Sequence, residues 1–152
     1  MGAVTYPSEK IARYISGNFV PWKVSYDTES RLLRRYNVFW TPTVIFADRK
    51  GIEHARVTGY LPPDTFLTYL GMGRARVALA VHNYSEAGEL FDALARDFPG
   101  SVLAPEAVYF RGIARQKATE EDAHLDAALA DLERDYPDSE WLLRASPWRG
   151  ED

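Results

Sequence analysis

The side chains able to do chemistry in this chain are few, and its imidazoles come first. His54, His82 and His124 lie on different segments without ligand spacing, so neither a metal site nor a general base has a pattern to support it. The 152 residues contain no cysteine, which removes disulfides, thiolate nucleophiles, Cys-x-x-Cys redox centres and cysteine-based zinc sites together. No serine stands in a nucleophile elbow, and no carboxylate pair stands out. Gly71-Met72-Gly73, followed by Arg74 and Arg76, has the outline of a phosphate loop. It lacks the Gly-Lys-Ser/Thr ending and follows a helical pattern, so it reads as a hinge. Glu120-Glu121-Asp122 reads as a solvated helix start favoured by the helix dipole, and Arg34-Arg35 as an exposed helix end. No catalytic, cofactor-binding or metal-ligating residue is expected, and no cofactor. What remains is Trp40-Thr41-Pro42-Thr43, whose meaning depends on the elements around it.

Those elements can be read in order. Pro7-Ser8-Glu9 opens a helix over residues 9–15, capped by Ser8, with Ile11, Ala12 and Ile15 on one face and Gly17-Asn18 as its stop. Phe19 to Tyr26, FVPWKVSY, is rich in aromatic and β-branched residues and predicts a strand. Pro21 cannot donate to a ladder, so it belongs at the start of that strand or on an unpaired edge. Asp27-Thr28 would cap a helix over 29–36 that buries Leu32, Leu33 and Tyr36. Residues 43–47 form a short apolar strand, Asp48-Arg49-Lys50-Gly51 a hairpin-type turn, and residues 53–58 the returning strand. Gly59 to Asp64 then leads into a helix with Phe66, Leu67 and Leu70 as its apolar positions.

The run from Asn18 to Leu70 resembles the C-terminal portion of a thioredoxin-like domain. The features occur in order: strand, helix, the Val38-x-x-Thr41-Pro42-Thr43 loop, a hairpin with Gly51 at its turn, Gly59-Tyr60, and a final helix. The resemblance implies that Thr41-Pro42 is a cis bond. It also implies that Trp40, Thr41, Pro42 and Thr43 form a docking surface, since the family's proline loop offers an open backbone edge to extended peptides. A second reading of Trp40 is that it fills space left by a missing helix start. MGAVTYPSEKIARYISGNFV looks like the tail of the helix that the family's Cys-x-x-Cys opens, so Met1 would fall just beyond the second cysteine. A start codon assigned too far downstream, a truncated gene or a processed fragment would each produce this. In the family's sheet the absent central strand lies between the strands matching 19–26 and 43–47. Without it, both edges are unpaired, and either they close on each other or a second chain adds a strand. A protein partner is therefore expected, with a homodimer through the missing-strand edge as its simplest form.

The second half repeats itself. Leu94-Ala95-Arg96-Asp97-Phe98-Pro99-Gly100-Ser101 recurs as Leu132-Glu133-Arg134-Asp135-Tyr136-Pro137-Asp138-Ser139, a shift of 38 residues. Each copy ends a helix with an aromatic residue and a proline that cannot continue it. Upstream, Asn83-Tyr84-Ser85-Glu86-Ala87 and the stripe Ala87, Leu90, Phe91, Leu94 resemble the second helix of a tetratricopeptide (TPR) unit, with a partner over 73–81. Ala104 to Ala118 and Leu125 to Tyr136 would form the next hairpin, and Trp141 to Ala145 the start of a capping helix. The fold class expected is α/β, a truncated thioredoxin-like part over residues 1–71, followed by α-helical TPR-like hairpins over 72–152, mixed α+β overall. Two such hairpins are marginal alone, so one body with a short hinge at Leu70 to Gly73 is expected.

Composition narrows the function classes. A hydrophobic fraction of 46% and an aromatic fraction of 13% are ample for a core, and a net charge of −4 offers no field for nucleic acid. No apolar run approaches the ~20 residues of a membrane span, and the N-terminus lacks signal-peptide features, so a soluble cytoplasmic protein is expected. Two functions follow. The first is a non-catalytic, redox-inactive interaction or assembly subunit. The alternative is a thiol–disulfide oxidoreductase whose Cys-x-x-Cys lies upstream of this chain.

Overall fold

A computed structural model describes residues 8–150 of the chain. Helix α1, Glu9–Asn18, begins behind Ser8, which sits at the N-cap without a side-chain cap bond. Pro7, read as part of the same helix opening, lies outside the described residues. The helix runs through Gly17 to Asn18, beyond the Ile15 end expected, and the Phe19 N–H closes its last turn on the Ile15 carbonyl at 2.8 Å. Its single buried side chain is Ile11.

The strand expected over 19–26 does not form. A strand persists only where a neighbour takes up its backbone groups, and the described sheet holds two strands, β1 at Thr43–Ala47 and β2 at Glu53–Thr58. Residues 19–25 therefore run irregularly, with Val20 98% and Trp22 73% exposed. The next helix, α2, is Ser30–Arg35, one residue shorter at each end than expected, with Asp27-Thr28 in a turn, Glu29 at the N-cap and Tyr36 at the C-cap. Leu32, Leu33 and Tyr36 are half-buried rather than core.

The hairpin occupies the residues read from sequence. Antiparallel partners run from Thr43 with Thr58 to Phe46 with Ala55, and the register slips between Phe46 and Ala47. At the turn, Gly51 adopts φ +72°, and its N–H bonds the Asp48 carbonyl at 2.9 Å. The Asp48 carboxylate accepts from the Lys50 and Ile52 N–H groups at 2.8 and 3.0 Å and pairs with His54 Nε2 at 3.0 Å. The His54 hydrogen bond first, and the Ile52 and Lys50 N–H groups after it, hold the Asp48 carboxyl below its ordinary range. Its contribution to stability is therefore present above the unfolded value of about 3.9 and is lost as pH falls through the lower folded value. Asp48→Asn is expected to flatten the acid side of the profile when urea midpoints are measured below about pH 4. Identical profiles would show that the turn carboxylate contributes nothing.

Helix α3 is Pro63–Ala80, and it corrects the hinge reading of Gly71-Met72-Gly73. The helix is continuous there, and Met72 and Gly73 are buried within it. A glycine inside a helix costs about 1 kcal/mol in propensity, but Gly73 is where the Phe46 ring of β1 lies against the helix backbone. The local rule that reads glycine as a break is overridden by a contact from elsewhere in the chain. Arg74 and Arg76 are structural as well. Arg74 bonds Glu86 at 2.9 Å, and Arg76 pairs with Glu106 and lies 4.7 Å from the Phe110 ring centre.

Beyond α3 the chain is helical: α4 at Tyr84–Asp97, α5 at Ala104–Thr119, α6 at Ala123–Asp135 and α7 at Glu140–Ala145, then a 3₁₀ turn at Ser146–Arg149. Each helix packs on the next from α3 to α6. The repeated octapeptides fold alike. The Phe98 and Tyr136 N–H groups bond the Leu94 and Leu132 carbonyls at 3.0 and 2.9 Å. Ser101 and Ser139 then accept, through their hydroxyls, the N–H groups of Leu103 and Leu142. The Tyr136 hydroxyl donates to the Pro99 carbonyl at 3.1 Å, so the second copy is tied to the first. Gly112 admits α6 to close range, since a Cβ there would stand 2.6 Å from that of Ala128.

Two apolar clusters result. Ile11, Phe46, Phe66, Leu67 and Leu70 form one beneath the hairpin, while Phe91, Leu94, Ala107, Val108 and Leu132 are central to the other, larger one. Helix α3 contributes to both, with Phe66 to Leu70 in the first and Met72 to Ala78 in the second.

Candidate protein-docking surface

The four residues singled out in the sequence sit together at the entrance to β1. The Thr41–Pro42 peptide bond is cis. The Pro42 carbonyl accepts the Gly59 N–H at 2.8 Å, which starts the ladder of the hairpin. Thr43 Oγ1 donates to the Trp40 carbonyl at 2.7 Å and reaches Thr58 Oγ1 at 3.4 Å. The loop entrance is held from the other side, where Arg56 donates to the Tyr36 carbonyl at 2.6 Å and pairs with Glu53. With the backbone tied down, the rings are displayed rather than packed. Trp40 is 62% and Phe39 78% exposed, so Trp40 fills no interior space.

Phe39 was not singled out by sequence reasoning, because an aromatic residue beside an apolar run is ordinarily read as core. It belongs to a wider pattern. Of ten large hydrophobic side chains exposed among the described residues, seven lie between Val20 and Tyr60. The helical half leaves only Val81, Val102 and Leu143 so exposed, and the concentration in the hairpin half marks an interaction surface more than scattered exposure does.

The backbone edge of β1 adds to this surface. In an antiparallel pair, bonded and non-bonded positions alternate. Because Pro42 and Gly59 form a bonded position, Val44 with Val57 and Phe46 with Ala55 are bonded positions too. Thr43 and Ile45 are then the residues whose N–H and C=O groups face away from β2. No other described segment bonds them.

The remaining chemical candidates are dispersed. His54 is held by Asp48, His82 stacks on Tyr84 with ring centres 5.5 Å apart, and His124 lies 3.8 Å from Glu121. Among the described residues no group of three or more His, Cys, Asp or Glu is placed to hold a metal ion. Glu120, read as part of a helix start, is instead the left-handed C-cap of α5, and Asp122 takes the N-cap of α6.

The proline loop, the hairpin and the first part of the helix beneath it fall within the stretch that a family comparison matches. Residues 4–73 match the model of a thioredoxin-like domain, so such a domain is present over that stretch, and it ends within α3. No curated protein and no solved structure matches the chain. Among the described residues no helix is long and apolar enough to cross a membrane.

Proposed function

We propose that this chain is a non-catalytic protein-interaction or assembly subunit, in which a redox-inactive thioredoxin-like part presents Trp40, Thr41, Pro42 and Thr43 to a protein partner. The observation that carries the reading is the coincidence of the open β1 edge at Thr43 and Ile45 with the exposed Phe39 and Trp40 rings. Backbone groups at such an edge supply affinity to an added strand, and neighbouring side chains supply selectivity. The helical half resembles TPR hairpins in the repeated helix endings that terminate α4 and α6, and it stiffens the platform through α3. The cytoplasm is the compartment this reading assigns.

Immobilised wild-type chain is expected to retain a protein partner that the Trp40→Ala variant, with unchanged helical circular dichroism, retains several-fold less. Equal retention would overturn the docking role of the loop. With no thiol in the sequence, an insulin-reduction assay should give the uncatalysed background; turnover above it would overturn the non-catalytic reading. The thioredoxin-like match favours one other function, a thiol–disulfide oxidoreductase whose Cys-x-x-Cys lies upstream. In-frame codons for Cys-x-x-Cys shortly before Met1 would decide for it at the level of the gene.

A further inference from the structure

We propose that the partner of the β1 edge is β1 of a second copy, paired antiparallel about a two-fold axis at Val44; this rests on the docking reading above and names its occupant. The outward-facing residues, Thr43 and Ile45, are two positions apart. A two-fold at the residue between them sets Thr43 of one chain opposite Ile45 of the other, and the reverse. Both are bonding positions, so the pairing satisfies all their outward groups with about four inter-chain hydrogen bonds. The two hairpins become one four-stranded sheet with the β2 strands outermost.

Charge selects this occupant and this direction. Exposed edges are ordinarily guarded by charged side chains. β2 has that guard, with Glu53 and Arg56 along its length, whereas β1, TVIFA, has no charge at all. Only the turn after β1, Asp48-Arg49-Lys50, is charged. A parallel pairing would set Arg49 and Lys50 of both chains side by side. The antiparallel one carries each basic turn towards the partner's Phe39 and Trp40, where a cation over an aromatic face is favourable. Residues 20–23 are exposed and unpaired, so they do not occupy the edge.

Because the chain has no cysteine, one introduced thiol reports the register. Across the two-fold, Val44 faces its own copy at a non-bonded position with Cα atoms about 4.5 Å apart, within the disulfide range of about 4.4–6.8 Å. Val44→Cys is expected to oxidise rapidly to a covalent dimer, and Ile52→Cys, in the exposed turn, slowly or not at all. Wild-type chain should sediment as a dimer. Its Thr43 and Ile45 amides should exchange more slowly as concentration rises, a measurement independent of whether the cysteine variant folds. A monomeric wild type, concentration-independent exchange at those amides, or Val44→Cys cross-linking no faster than Ile52→Cys would each overturn the proposal. A monomer that still binds another protein in a Trp40-dependent way would remove self-pairing and leave the docking surface standing.

Discussion

Gly73→Ala is expected to destabilise the protein by roughly 1–3 kcal/mol, the usual range for forcing extra atoms into a packed core. A Cβ built on Gly73 stands 2.4 Å from Cγ and Cδ1 of Phe46 and 2.5 Å from its Cδ2. No pair of non-bonded carbon atoms tolerates that separation, so ring or helix must move. The ring is poorly placed to do so, being 5% exposed and packed against Phe19 with ring centres 5.7 Å apart. Helix propensity works in the opposite direction, since alanine gains about 1 kcal/mol over glycine in a helix interior. The overlap outweighs it because three ring atoms are involved at once. Thermal unfolding should fall by about 3–10 °C. Adding Phe46→Leu should restore part of the loss, because the smaller side chain vacates the glycine face. A Gly73→Ala protein more stable than wild type would show that the hairpin does not rest on α3 as described.

The second large effect belongs to the helical half. Phe91 is completely buried and stacks with Phe110 at 5.7 Å between ring centres. Phe91→Ala is expected to cost about 3–5 kcal/mol, combining lost transfer energy with the cavity left between neighbouring helices. Its wider consequence follows from α3, which is one helix through both apolar clusters. Loosening its C-terminal half should loosen the hairpin that packs on its N-terminal half. Unfolding of Phe91→Ala should therefore remain a single transition, coincident by far-UV circular dichroism and by tryptophan fluorescence. Trp22 and Trp40 report on one half, Trp141 and Trp148 on the other. Two separated transitions would mean that α3 does not couple them.

Local chemistry made much of this protein readable. Thr43 to Ala47 and Glu53 to Thr58 are short apolar or alternating runs joined by a turn whose aspartate and glycine suit no other conformation so well. Their limits match β1 and β2 residue for residue. The repeated Arg-Asp-aromatic-Pro endings likewise marked where α4 and α6 stop. Trp40 to Thr43 could be named as the candidate surface because the ordered elements around them resemble those flanking a thioredoxin-type proline loop. That Phe39 is displayed beside it was not legible, since exposure depends on what does or does not pack above.

Two of the misreadings share one cause. FVPWKVSY has every local preference of a strand, but a strand exists only if another strand lies alongside, and composition cannot say whether one does. Gly71-Met72-Gly73 has the local look of a break, but Phe46, far away in sequence, needs the space a side chain would take. What the sequence determined by itself was therefore what nearest neighbours enforce: the hairpin, the ends of α4 and α6, and the repeat. The tertiary structure alone decided which backbone edges stay open and which glycines are contacts, because both depend on groups brought together only when the chain closes on itself.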